Sequence, residues 1–73
     1  MQNIEMIPVS SSNVESIGYD AETQTLQIRF LNGGVYLYRN VPPMEFEQLL
    51  NAPSIGSYFN RNIKGSYAYE KIG

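Results

Sequence analysis

The sequence predicts a small α+β domain: an antiparallel three-stranded meander, two short helices packed on one of its faces, and a C-terminal extended segment or edge strand. Three observations carry that expectation. Between Thr25 and Val41 the apolar residues alternate at period two on either side of Asn32-Gly33-Gly34, the pattern of a β-hairpin. From Met44 onward the spacing becomes that of a helix, broken at Ala52-Pro53. After Gly65 the period of two returns. A chain of 73 residues makes one domain, and folding at that size buries only about 60% of the surface that the unfolded form exposes, so nearly every large apolar side chain is needed for the core.

Residues 1–8 read as an N-terminal extension, frayed at its start, with Met6, Ile7 and Val9 extended along a single domain that occupies residues 9–73. Ser12 and Glu15 have the spacing of a capping box, which would start one helical turn before Gly18 interrupts it. Ser16 to Asp20 is then the first strand. If Ala21 to Gln24 form the loop to the next, Tyr19 pairs with Leu26 and Ile17 with Ile28 on one face.

The central hairpin has two possible registers, and a shift of one residue turns every side chain of Val35 to Val41 to the other face. A two-residue loop at Asn32-Gly33 places Val35 and Leu37 on the core face. A three-residue loop at Asn32-Gly33-Gly34 pairs Leu31 with Val35 and places Tyr36 and Tyr38 beside Phe30 and Ile28. The second is preferred, because Gly34 suits the left-handed position such a loop requires. It leaves Arg29, Leu31, Leu37 and Arg39 on the opposite face.

Pro43 suits the first position of a helix over Met44 to Asn51, with Phe46, Leu49 and Leu50 as its buried stripe. Glu45 and Glu47, two positions apart, do not face each other as an acid/base pair would, and their place near the helix start has a structural reason in the helix dipole. Ser54 can cap a second helix, with Ile55, Tyr58, Phe59 and Ile63 facing the core and Lys64-Gly65 ending it.

Composition bounds the chemistry. There is no cysteine and no histidine, so the chain lacks a thiolate, the commonest metal ligand and the commonest general base. No Gly-rich phosphate loop and no nucleophile with a base at recognisable spacing is present. The expectation is therefore a non-enzymatic protein with no catalytic residues, cofactor or metal, and, with no long apolar run, a monomeric cytoplasmic protein without a membrane partner. The net charge is −2, but residues 1–28 hold four acidic and no basic residues, whereas residues 29–73 hold five basic against three acidic. That asymmetry favours a polyanion at the C-terminal half.

The residues that suit RNA are Arg39, Arg61, Asn62, Lys64, Tyr67 and Tyr69, since tyrosines stack on bases and cations hold phosphates. The competing reading makes the six tyrosines core residues with hydroxyls at the rim, and Arg61 and Lys64 an ordinary solvated helix face. The alternative partner is another protein, docked on the uncovered sheet face or on a strand edge.

Taken in order, the stretches SSSNVESIGYD, TLQIRFLNGGVYLYRNVPP and LLNAPSIGSYFNRNIKGSYAY resemble the KTSC domain family from about Val9 to Tyr69. That family is named for an appendage at the C-terminus of some lysyl-tRNA synthetases, and it also occurs as small stand-alone bacterial and phage proteins. The resemblance implies that Tyr36 and Tyr38 form the family's central motif, joined by Tyr58, Phe59 and the residues to Ile63. These positions are expected to be structural. The synthetase context implies RNA as a partner.

Overall fold

The computed structural model describes residues 4–73. Among them, five antiparallel strands form one sheet in chain order: β1 Met6–Pro8, β2 Val14–Asp20, β3 Thr25–Phe30, β4 Val35–Tyr38 and β5 Tyr69–Lys71. Helices α1 Pro43–Leu50 and α2 Ile55–Tyr58 lie between β4 and β5 in the chain. The α+β class holds, and the three-stranded expectation is corrected to five strands. The two additional strands are the edges, each three residues long and too short to show an alternation of their own. One is drawn from the N-terminal segment and the other from the expected C-terminal edge. The fraying expected at the start of the 1–8 extension falls in part on residues 1–3, which lie outside the described residues.

No helical turn forms at Ser12. The chain bends there, the Ser11 hydroxyl accepts the backbone N–H of Val14 at 3.3 Å, and β2 begins at once. A bulge decides this. Val14 pairs with Phe30 and Ser16 with Arg29, so Glu15 is an extra residue without a partner. The bulge lets Val14 and Ile17, three positions apart, both enter the core while Glu15 stays in water. Beyond it the ladder follows the expected register, with Ile17 opposite Ile28 and Tyr19 opposite Leu26 across the loop 21–24. Gly18 lies in mid-strand because the N-terminal segment presses on it. A Cβ there would stand 2.6 Å from Ile4 Cγ2 and 2.7 Å from the Glu5 carbonyl oxygen.

The central hairpin has a three-residue loop, one position earlier than expected: Leu31, Asn32 and Gly33. The Gly33 N–H donates to the Phe30 carbonyl at 2.9 Å and the Phe30 N–H to the Gly34 carbonyl at 2.8 Å. Gly33, not Gly34, takes the left-handed backbone, with φ of 97°. The Asn32 side chain accepts the Gly34 N–H at 2.9 Å, which fixes the turn from within. Tyr36 therefore pairs with Ile28 and Tyr38 with Leu26, two residues away from the expected partners. A shift of two leaves the faces unchanged. Tyr38 is buried and Tyr36 half-buried on the core face, while Val35 and Leu37 point the other way.

Both helices pack on that one face. Leu49 from α1 and Ile55 from α2 join Ile17, Leu26, Ile28 and Tyr38 in a single core. Pro43 opens α1 as expected, and the chain breaks at Asn51–Ser54 before the Ser54 hydroxyl caps α2 by accepting the Ser57 N–H at 3.3 Å. From Phe59 to Ile63 the helix widens into a π turn, in which the Lys64 N–H reaches back five residues to the Phe59 carbonyl at 2.9 Å. Gly65, at φ of 86°, ends the segment. No helix among the described residues is long and apolar enough to cross a membrane.

Glu45 links the helical layer together. Its carboxylate accepts the Tyr58 hydroxyl at 2.6 Å and the Tyr67 hydroxyl at 3.3 Å, and the Gln48 amide oxygen lies 2.8 Å from the Tyr58 hydroxyl. The hydrogen bond to Glu45, followed by burial, pushes the Tyr58 phenol up from 10.0 to about 12. The neutral phenol is thus favoured in the folded state. Its stabilisation is complete below pH 10 and is lost as the pH rises through about 12. Denaturant midpoints measured across that window should fall more steeply for the parent chain than for Tyr58→Phe, and parallel curves would mean that this bond adds nothing.

Candidate functional site

A cleft of about 750 Å³ opens between the hairpin tip, the π turn and β5. Alternation along the strands builds one side of it: Phe30, Tyr36 and Tyr38 stand on the core face of β3 and β4, and Tyr69 stands opposite Tyr38 on β5. Phe59 descends from the π turn and closes the arrangement edge-on, with ring centroids 5.6 Å from Phe30 and 5.4 Å from Tyr38. Tyr69 leans on Tyr36 and Tyr38 at 5.9 and 5.7 Å. It is the most open of these rings, 62% exposed.

The six tyrosines divide into two sets. The hydroxyl of Tyr19 donates to the Val41 carbonyl, and those of Tyr58 and Tyr67 to Glu45, so all three are tied to the protein. The hydroxyls of Tyr36, Tyr38 and Tyr69 have no such bond among the described residues. No side-chain polar atom of those residues that is shut off from water lacks a partner, so the Tyr36 and Tyr38 hydroxyls reach water, and Tyr69 is itself exposed. Burial, reinforced by the neighbouring Tyr36 and Tyr69 phenols, pushes the Tyr38 phenol upward. Near neutral pH it is a proton donor.

Charged side chains around the cleft have one sign. Lys64 and Lys71 line it together with Asn13, Asn32 and Asn60, and among the described residues no aspartate or glutamate does. Neither lysine forms an ion pair among the described residues, where Arg39 and Glu70 make the one salt bridge, at 2.7 Å. Lys71 owes its position to the period of two, which returns it to the side of Tyr69. Lys64 is placed by the π turn that it terminates. Such a site is suited to a ligand that combines flat rings with negative charge.

A family model described as the KTSC domain matches residues 10–67. The chain belongs to the KTSC domain family. Among solved structures, this KTSC domain is similar to the crystal structure of a KTSC domain protein from Yersinia pestis, with a TM-score of 0.94 at 39% identity, covering 97% of this chain and 100% of that one. It is 42% identical over 67 residues to a lysine–tRNA ligase of Nostoc punctiforme; the match takes in 92% of this chain and spans 12% of the ligase. An uncharacterized protein of Stutzerimonas stutzeri is 39% identical over 70 residues, which is 94% of this chain and 99% of that protein.

The residues singled out from the sequence separate in this KTSC domain. Lys64 and Tyr69 line the cleft, and so do Tyr36, Tyr38 and Phe59 of the family motif. Tyr58 is outside it, tied to Glu45, and Tyr67 shares that carboxylate. Arg39 binds Glu70, whose neighbours on β5 turn to the cleft, so the ion pair lies on the far side of the sheet. Arg61 and Asn62 are exposed on the π turn without lining the cleft, and the Asn62 amide donates to the Tyr58 carbonyl at 3.3 Å. Asn60, within the family segment that ends at Ile63, also lines the cleft, as do Phe30, Asn13 and Lys71, which were not singled out from the sequence as binding residues. The signal for Lys71 was present, since Tyr67, Tyr69 and Lys71 continue one alternation. Nothing local marks Asn13, which is distant in sequence from the hairpin and is joined to it by the bond from the Leu31 N–H to its carbonyl at 2.9 Å.

Proposed function

We propose that this KTSC domain is a non-enzymatic binding module that takes RNA, tRNA included, at its aromatic cleft. One observation carries the reading: in a chain of net charge −2, five aromatic side chains and two lysines line the same cleft, and among the described residues no acidic side chain does. Bases find stacking surfaces there, and phosphates find ammonium groups, phenol hydroxyls and amide N–H donors. The similarity to a segment of a lysine–tRNA ligase supports the choice of an RNA partner. With Arg39 paired on the far face, Tyr67 tied to Glu45, and Arg61 and Asn62 outside the cleft, the C-terminal cluster read in the sequence narrows to Lys64 and Tyr69, and Lys71 joins them.

The test is a low-salt titration of labelled tRNA with the parent chain, a Lys64→Ala/Lys71→Ala double variant and Arg39→Ala. The double variant should bind more weakly, with a salt dependence flatter by roughly one unit of slope for each phosphate it no longer neutralises. Arg39→Ala should bind as the parent does. An absence of binding by the parent at low salt would remove RNA as the partner and favour a protein docked on the outer sheet face, where Arg29 and Leu37 lie.

A further inference from the structure

The rings of the cleft are not equivalent. Phe59 and Tyr38 are almost wholly enclosed, whereas Tyr69 is 62% exposed and is backed on one side by Tyr36 and Tyr38. The part of it that these rings leave uncovered is open to solvent. Lys64, Lys71 and Asn60 line the same cleft, and the Asn60 side chain, which bonds to no described residue, carries both a donor and an acceptor. A second feature marks the same place: the π turn of Phe59–Ile63 interrupts regular helix geometry at the point where Asn60 and Lys64 reach the cleft, and such interruptions recur at functional sites.

We propose, resting on the RNA reading above, that the cleft takes one unpaired base, stacked on the exposed ring of Tyr69, with the adjoining phosphate held by Lys64 and Lys71. Bases inside a duplex are already stacked on their neighbours and present no free face, whereas loops, bulges and single strands do. Two lysines alone give little attraction for a duplex backbone, so selectivity for unpaired RNA follows from the ring. Asn60 is placed to meet the edge of the stacked base.

The experiment uses the whole chain, a short labelled RNA of mixed sequence, and the same RNA annealed to its complement, with anisotropy as the readout. The parent should prefer the single strand by roughly ten-fold. Tyr69→Ala and Tyr69→Leu should each lose about that factor on the single strand and leave duplex binding unchanged, while Tyr69→Phe, which keeps the ring, should bind as the parent does. Unfolding midpoints of the variants should match that of the parent, because Tyr69 is exposed. Equal binding of duplex and single strand, or single-strand binding indifferent to Tyr69→Ala but abolished in the lysine variants, would overturn base stacking and leave RNA binding by charge intact. A loss in Tyr69→Phe as large as in Tyr69→Ala would also overturn it, because the hydroxyl and not the ring would then be responsible. Failure of the parent to bind either RNA would remove both readings together.

Discussion

Truncating Phe59 to alanine is expected to destabilise the domain by about 3–5 kcal/mol, the range for an aromatic side chain deleted from a core. Phe59 is 3% exposed and meets Phe30 and Tyr38 edge-on, at interplanar angles of 67° and 79°. Deleting it removes both aromatic neighbours' packing and opens a hole between the π turn and the sheet. A small domain has a total stability of similar size, so the variant should be substantially unfolded at room temperature. Denaturant unfolding followed by far-UV circular dichroism measures this. A destabilisation below about 1 kcal/mol would show that the π turn does not depend on the ring, and Phe59→Leu should recover much of the difference by refilling the volume.

The second large effect is expected at Gly18, from adding atoms instead of removing them. In Gly18→Val the new side chain meets Ile4 Cγ2, the Glu5 carbonyl oxygen and Met6 Sδ, all within 2.8 Å of the position of a Cβ. Two of these atoms belong to side chains that can turn aside, but the carbonyl cannot move without the backbone. β1 must therefore separate from β2, at a cost of about 3 kcal/mol, the upper part of the range for overpacking. The effect should be local as well as global. Amide exchange at Ile7, which pairs with Ile17, should accelerate out of proportion to the β2–β3 ladder. Unchanged protection at Ile7 would show that β1 accommodates the side chain.

These two positions illustrate what the sequence makes legible. Phe59 belongs to an apolar stripe at helical spacing and can be assigned to the core without coordinates. The need for glycine at position 18 arises from a segment that crosses it, and no neighbouring residue signals this; in the sequence it reads as a helix breaker. The hairpin shows an intermediate case. Both Gly33 and Gly34 could take the left-handed position, so the loop was expected one residue late, yet the faces were read correctly because the displacement was two. The bulge at Glu15 was hidden for a related reason: Val14 and Ile17 share a face only after an extra residue is inserted between two partners. At the cleft, Tyr69 and Lys64 were legible as an aromatic beside a cation. Arg39 could not be separated from them, since its partner Glu70 on the neighbouring strand is 31 residues further along the chain.

β5 has a consequence for the order in which the molecule assembles. β1, β2 and β3 each pair with the next strand along the chain, so the connections between them close small loops and lose little chain entropy before pairing begins. The pairing of β4 with β5 joins Tyr38 to Tyr69 across the whole helical segment. It is the most distant of the strand pairings and rests on three exposed residues. The wall that carries Tyr69 and Lys71 is therefore expected to be the last part of the sheet to close. A ligand that grips both β5 and the π turn would act as the clasp this edge otherwise lacks, and slower amide exchange along Tyr69–Lys71 would be its signature.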